Sequence, residues 1–391
     1  MKKLGFVTPW YGEKIPGGAE MELRGLVHHL RESGVELEVL TTCVKDFYTD
    51  WTRNYHNPGV TEEAGITVRR FAVKKIDMGE FGTINYKLMN QMRISPKEEK
   101  TYITQSVNSQ DLYNYIKEHE SEYHAFIFIP YMFGTTYHGC LVCPEKAILI
   151  PCLHDESYAY MGVYKEAFSR IKGIIYHAQP EYDLANRIYD LSKVNQAVLG
   201  EGLDTDIAGD AIRFRKHFEI EEPFILYAGR KDAGKNVDTL VRYFEAYKKR
   251  NQNRLKLILI GGGSIEIPSS IKESVIDLGY VDTQDKYDAC AAAELLCQPS
   301  LNESFSLVIM ESWLCGRPVL VHEACNVTSY FAKTARGGLY FKNYLDFEGC
   351  VNYILTNREI AERMGRNGGQ FVRDNFSWDV IVRKYMDFFE A

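Results

Sequence analysis

An apolar run, Leu295-Leu296-Cys297, meets the turn residues Pro299 and Asn302, and an apolar helical pattern then continues from Ser306 through Leu314. The stretch reads as strand, loop and helix. A strand that opens into a helix N-terminus is where open α/β sheets hold anionic ligands, because the first-turn N–H groups have no helical partners and the dipole favours negative charge. Two carboxylates frame this corner, Glu303 in the loop and Glu311 eight residues on. With a helix starting near Ser304, a rise of ~1.5 Å per residue sets them on the order of 12 Å apart along the axis and nearly on one face. An acid at position 311 on an otherwise apolar helix is costly unless something pairs with it.

The same plan recurs along the chain. Leu4–Thr8 reads as a short buried strand, Pro9–Glu20 as a long turn, and Met21, Leu23, Leu26, Val27 and Leu30 as one helical face ending at Gly34, before a second strand from Val35 to Thr41. This is a βαβ unit that opens a Rossmann-type half. A second half starts with the strand Phe224–Arg230, the turn Lys231–Asn236 and the helix Val237–Lys249. With 391 residues the chain exceeds the size at which one core stops growing, so two domains are expected. The glycines of Leu199-Gly200-Glu201-Gly202 place the boundary near residue 197.

Several turns can approach a ligand closely. Gly17 and Gly18 precede the first helix, and Gly261-Gly262-Gly263 ends the strand Leu255–Ile260. Arg230 offers a planar fork and Lys235 a compact charge beside the turn of the second half. Tyr280 and Val281 end a further strand. Ala125–Ile129 and Ala147–Pro151 are strands as well, and the latter runs into the polar cluster Cys152-Leu153-His154-Asp155-Glu156-Ser157. Between residues 69 and 122 the pattern gives an extended Phe71–Ile76 and helices over Phe81–Met92 and Thr101–Glu118, with Lys74, Lys75, Lys87 and Arg93 beside aromatic residues.

The net charge of −7 and the lack of a Lys/Arg block exclude a general affinity for nucleic acid. Nine cysteines are scattered; Cys140-Leu-Val-Cys143 has no second pair, so the cysteines read as reduced and no metal-ligand spacing emerges. The apolar start Leu4–Val7 breaks at Pro9, too short for a signal peptide, and no run reaches the ~20 apolar residues of a membrane span. A cytoplasmic location follows as the expectation, with peripheral contact at the inner face of the membrane as an addition to it.

Glu303-Ser-Phe-Ser-Leu-Val-Ile-Met-Glu311, followed by Gly316-Arg317-Pro318-Val319, resembles the signature of retaining GT-B glycosyltransferases of the family 4 type, a Glu, seven residues and a second Glu. The resemblance extends over almost the whole chain and is strongest in its second half. It implies an α/β fold of two Rossmann-like domains facing each other across a cleft. Residues 1–197 would bind acceptor, 198–375 would bind the nucleotide-sugar, and a helix over 376–391 would cross back to the first domain. Val198–Thr205 is similar to the family's Gly-x-Gly-Val-Asp linker, with Leu203 in place of Val.

By resemblance, His154 lies beside the transferring sugar and Glu303 contacts that sugar's hydroxyls, which makes them the catalytic candidates. Glu311 takes the ribose hydroxyls, and Arg230 and Lys235 hold the diphosphate. Backbone groups of Ser304, Phe305, Ser306 and Leu307 face phosphate or sugar, Gly17 and Gly18 face the donor diphosphate, and Gly262, Tyr280 and Val281 lie near the base. The implied reaction is transfer of a hexose, mannose or rhamnose first, from a GDP-sugar in preference to a UDP-sugar. The implied acceptor is an oligosaccharide or lipid-linked glycan of a bacterial surface polysaccharide such as O-antigen or capsule. No Asp-x-Asp follows a strand, so neither metal nor cofactor is expected. A GT-B sugar-nucleotide epimerase would share the architecture, a NAD-dependent oxidoreductase lacks its GxGxxG after the first strand, and a carbohydrate-binding module would not use the carboxylate and cation set.

Overall fold

A computed structural model describes residues 2–390. The chain divides into two compact units, Met1–Gly202 with Trp378–Ala391, and Leu203–Ser377. In the first, eight strands are ordered β3-β4-β2-β1-β5-β6-β7-β8: β1 Lys3–Val7, β2 Leu37–Thr42, β3 Gly59–Glu63, β4 Ile66–Phe71, β5 Tyr123–Phe128, β6 Ala147–Leu149, β7 Gly173–Tyr176 and β8 Asn195–Val198. All described pairings are parallel except β3 with β4. That edge hairpin turns at Ala64 and Gly65, both with positive φ (47° and 75°), the geometry a two-residue hairpin demands.

The second unit carries a wholly parallel six-stranded sheet ordered β11-β10-β9-β12-β13-β14: β9 Phe224–Ala228, β10 Lys256–Ile260, β11 Val275–Gly279, β12 Leu295–Gln298, β13 Val319–His322 and β14 Gly338–Phe341. Every residue of β9 is buried, as a central strand covered by helices on both faces requires. The strand order reverses beside β9, between β10 and β12, and the carboxyl ends around such a reversal form a ready-made crevice. In unit 1 the corresponding reversal lies at β1, between β2 and β5. Both units are therefore Rossmann-like.

The expected helix over residues 101–118 is two helices, Pro96–Thr104 and Gln110–His119. Ser95 and Glu98 form a capping box at the start of the first, and the Ser109 side chain caps the second while donating to the Ala72 carbonyl at 2.7 Å. Gly134 approaches the break so closely that a Cβ there would stand 2.8 Å from the Ile103 and Val107 carbonyl oxygens. The strand expected at Phe71–Ile76 ends where it was to begin, because β4 takes its register from β2 through Thr42 and Phe71.

The last helix, Trp378–Glu390, belongs to unit 1 and buries Ile381, Tyr385, Phe388 and Phe389. Its Trp378 ring lies over two glycines, since a Cβ on Gly25 or on Gly202 would come within 2.3 Å of it. Unit 2 begins and ends side by side, with Leu203 N–H donating to the Phe376 carbonyl at 3.0 Å.

Candidate functional site

Burial of β9 carries the chain to Gly229 and Arg230 at its carboxyl end, and from there the turn is built by hydrogen bonds. Tyr227 donates its hydroxyl to the Arg230 carbonyl at 2.5 Å, and Lys231 N–H donates to the Gly262 carbonyl at 2.7 Å. Lys231 is itself buried, with its ammonium on Asp277 at 2.7 Å and on the Gly261 carbonyl. That lysine fixes the glycine triplet against the turn. Arg230 is different: its side chain is 58% exposed and its guanidinium lies 3.4 Å from Asp232.

Lys235 turns the other way. Its ammonium is 2.7 Å from Glu303, whose same oxygen accepts from the Gln298 side-chain amide at 3.1 Å. Asn236, in the left-handed region (φ 56°), donates to the Pro299 carbonyl at 3.0 Å and so pins the β9 turn to the β12 loop. Two loops widely separated in the chain thus bring a cation and a carboxylate to one point.

Beyond Glu303 the chain enters the helix Leu307–Leu314 through Ser306, a non-glycine residue with φ 85°. Phe305 is buried edge-on against Phe331 and Phe376, so its side chain anchors the loop and leaves only backbone for a ligand. The buried hydroxyls of Ser300 and Ser306 and the Gln298 amide oxygen have no hydrogen-bond partner among the described residues. Buried polar atoms normally have partners, so three such atoms between the end of β12 and the start of the next helix are open to an added one. Ser304 and Leu307 are half-buried around them.

Glu311 is the buried carboxylate of that helix, and Lys286 on the helix Thr283–Ala292 meets it at 2.6 Å. Burial pushes its pKa up, while the Lys286 ammonium pulls it back. Tyr280 is 80% exposed, yet its ring stands over Gly262, where a Cβ would come within 2.5 Å of its hydroxyl. Val281 beside it is half-buried.

In unit 1, Gly17 caps the helix Gly18–Glu32 with φ 143°, a conformation other residues rarely adopt. A Cβ at Gly17 would stand 1.9 Å from the Glu20 carboxylate, which accepts from the Trp10 indole at 2.6 Å. Arg24 donates to the Gly12 and Ile15 carbonyls at 3.1 and 2.8 Å, holding the long turn in place. Nothing would meet a Cβ on Gly18, so the backbone there is open to approach. His154 is part-exposed, with Nδ1 3.5 Å from Glu156. Asp155 is occupied by Arg187 and the Tyr160 hydroxyl, both at 2.7 Å.

Lys235, Glu303 and the Ser304–Leu307 loop therefore converge at the carboxyl ends of β9 and β12, with Glu311 about one turn into the helix that follows. Sequence reasoning missed Gln298, Ser300, Lys286 and the Trp10–Glu20 pair. Gln298 carried a signal, a polar residue ending a buried strand; Lys286 carried none, because its partner is 25 residues away in sequence.

Residues 210–371 match the family model for glycosyl transferases group 1. An uncharacterised glycosyltransferase of Methanocaldococcus jannaschii is 23% identical over 191 residues, 46% of this chain and 48% of the relative. A D-inositol 3-phosphate glycosyltransferase of Xylanimonas cellulosilytica is 29% identical over 223 residues, 51% of this chain and 52% of the relative. The chain spans about half the length of the curated relatives it matches. Among solved structures, HepE of Anabaena in complex with UDP and glucose superimposes with a TM-score of 0.72 at 14% identity, covering 100% of both chains, a likeness of fold. The fold is therefore like that of a solved glycosyltransferase structure built of two Rossmann-like units, and residues 210–371 are similar to a glycosyl transferases group 1 domain.

Proposed function

We propose that this protein transfers a hexose from a nucleoside-diphosphate sugar to a glycan hydroxyl with retention at the anomeric carbon. The observation that carries the reading is the Lys235–Glu303 contact of 2.7 Å at the mouth of a turn whose serine hydroxyls and glutamine oxygen have no partner among the described residues. A diphosphate arriving at this strand end draws the Lys235 ammonium and the exposed Arg230 guanidinium to its oxygens. Glu303 then turns its carboxylate to the hydroxyls of the sugar, and Gln298 keeps it oriented. Glu311, held by Lys286, accepts from the ribose hydroxyls, and Tyr280 above Gly262 offers a face to the base.

Both cations offset charge growing on the departing phosphate, so that the leaving group can take the acceptor's proton while no side chain attacks. Positioning then supplies much of the rate. The donor is a GDP-hexose, with mannose or rhamnose as the sugar, and the acceptor a surface-polysaccharide oligosaccharide or its lipid-linked form. A UDP-sugar is the second reading, favoured by solved structures of this fold that hold UDP or UDP-glucose. For the acceptor, unit 1 presents a surface hollow of about 510 Å³ bordered by Met78, Tyr86, Lys87 and Met92, where lipid-linked glycan or a membrane face would meet apolar surface beside a cation.

A thermal-shift panel of GDP-, UDP- and ADP-sugars tests the donor. A ligand at a hundred times its Kd stabilises the folded state by about 2.7 kcal/mol, so the correct donor raises Tm by several degrees. A flat response to every nucleotide sugar would defeat the proposal, and release of an epimerised sugar without acceptor would replace it with the epimerase.

A further inference from the structure

At the carboxyl edge of the unit 1 sheet three different donor types meet. His177 follows β7, Cys152 follows β6 and Glu22 lies in the first turns of the helix Gly18–Glu32. One donor atom from each lies within 4.8 Å of the other two. His177 Nε2 is 2.6 Å from one Glu22 oxygen, and the Cys152 sulfur is 3.8 Å from the other. Glu22 and His177 are buried, at 4% and 1% exposure. Cys152 has φ 53°, a left-handed backbone unusual for a residue with a side chain.

The other ring nitrogen, Nδ1 of His177, faces the Glu181 carboxylate at 3.5 Å. Glu181 is fixed there, accepting from the His177 and Leu153 backbone N–H groups at 2.7 and 2.6 Å. A carboxylate behind the second nitrogen is the usual support for a metal-bound imidazole. Glu201 and the Tyr385 phenol also act electrostatically on this centre. Lys384, adjacent to Tyr385, gives its ammonium to the Leu199 carbonyl at 3.1 Å. Three carboxylates, Glu22, Glu181 and Glu201, gather around one imidazole in this buried centre, more acids than a single imidazolium can pair.

We propose that Glu22, Cys152 and His177 bind one divalent cation of zinc type, with a water completing the coordination. A thiolate, an imidazole and a carboxylate together suit a borderline metal rather than magnesium or calcium. Tetrahedral zinc bonds of ~2.0–2.3 Å place neighbouring ligand atoms roughly 3.3–3.8 Å apart, so binding opens the Glu22–His177 hydrogen bond and draws in any pair of donors lying nearer the 4.8 Å limit. On binding, Cys152 loses its S–H proton and His177 its Nε2 proton to solvent, and the sulfur–metal and nitrogen–metal bonds form. The ion clamps the first helix to the ends of β6 and β7, and Cys152 stands two residues before His154, so the clamp holds that loop.

The full-length protein, stripped with chelator and titrated with zinc and then with cobalt, tests this. One equivalent of zinc should survive gel filtration, and cobalt should give a thiolate charge-transfer band. Cys152→Ser should abolish the band and weaken zinc binding on the order of 100-fold, while Cys350→Ser should leave both unchanged. Zinc should also raise the Tm of the parent protein and not that of Cys152→Ser. Less than a tenth of an equivalent bound, or a band and affinity untouched by Cys152→Ser, overturns the proposal. His177→Gln adds a second reading if it folds, and Cys152→Ser decides the matter if it does not.

Discussion

Lys235 and Glu303 meet at 2.7 Å although 68 residues separate them, and they meet because Asn236 ties the β9 turn to the Pro299 carbonyl. Both side chains are mostly shielded, at 23% and 10% exposure. The pair is preformed, and under the proposed function a diphosphate exchanges one of its partners. Lys235→Met should therefore lower turnover about 10²–10³-fold, the effect of removing one preorganised stabilising group. Glu303→Gln should lower turnover more than it lowers stability. Initial rates of nucleotide release with donor and acceptor, beside thermal scans, check both.

Lys286 and Glu311 form the deeper pair, and its members are unequal in exposure, 24% against 8%. Lys286→Met leaves the Glu311 carboxylate buried alone and should destabilise by about 2–3 kcal/mol, below the full value for a buried pair because the lysine keeps contact with water. The double variant Lys286→Met, Glu311→Leu should recover most of that loss in chemical denaturation while still failing to bind donor. Glu311→Gln should chiefly raise the donor Kd.

Gly262→Ala places a methyl group within 2.5–2.7 Å of the Tyr280 ring and hydroxyl. Since Tyr280 is 80% exposed, its ring can swing away, and the stability change should stay within about 0.5 kcal/mol. Donor binding should weaken as the ring leaves the base site. Tyr280→Ala should weaken it comparably, and Gly262→Ala in that background should add little. Isothermal titration of the four proteins measures the coupling.

His138 packs its ring against Tyr113 and Tyr137, and burial with the Lys74 charge holds its pKa down at about 4. Because the folded pKa lies below the unfolded value of about 6.5, the unfolded chain binds the proton first as pH falls. The neutral ring's contribution is intact above pH ~6.5 and is lost progressively down to about 4. His138→Phe should flatten the Tm profile over that window.

Much of this was legible because the α/β pattern is local. Buried runs such as Phe224–Ala228, each followed by a turn and an amphipathic helix, announce parallel strands without reference to anything distant. The strand-end positions of Lys235, Glu303 and Glu311 follow from the same pattern. What holds them is not local. Lys286 sits on a helix with no apolar stripe to mark its orientation, and the break between Thr104 and Gln110 is enforced by Gly134, a residue in another part of the chain. The Glu22, Cys152 and His177 cluster shows no metal spacing in sequence, since its members come from a helix and two loops joined only by the sheet.

The return of Trp378–Glu390 to the first unit sets an order of events during synthesis. On a ribosome adding ~5–20 residues per second, the whole of residues 203–377 must emerge, on the order of ten to thirty seconds, before the first unit can receive its closing helix. For that interval Gly25 and Gly202 lack the Trp378 ring, and Gly173 on β7 lacks the Phe388 ring that would stand 2.9 Å from a Cβ there. The nascent chain thus carries an uncovered apolar seam until the thirteen residues of that helix arrive.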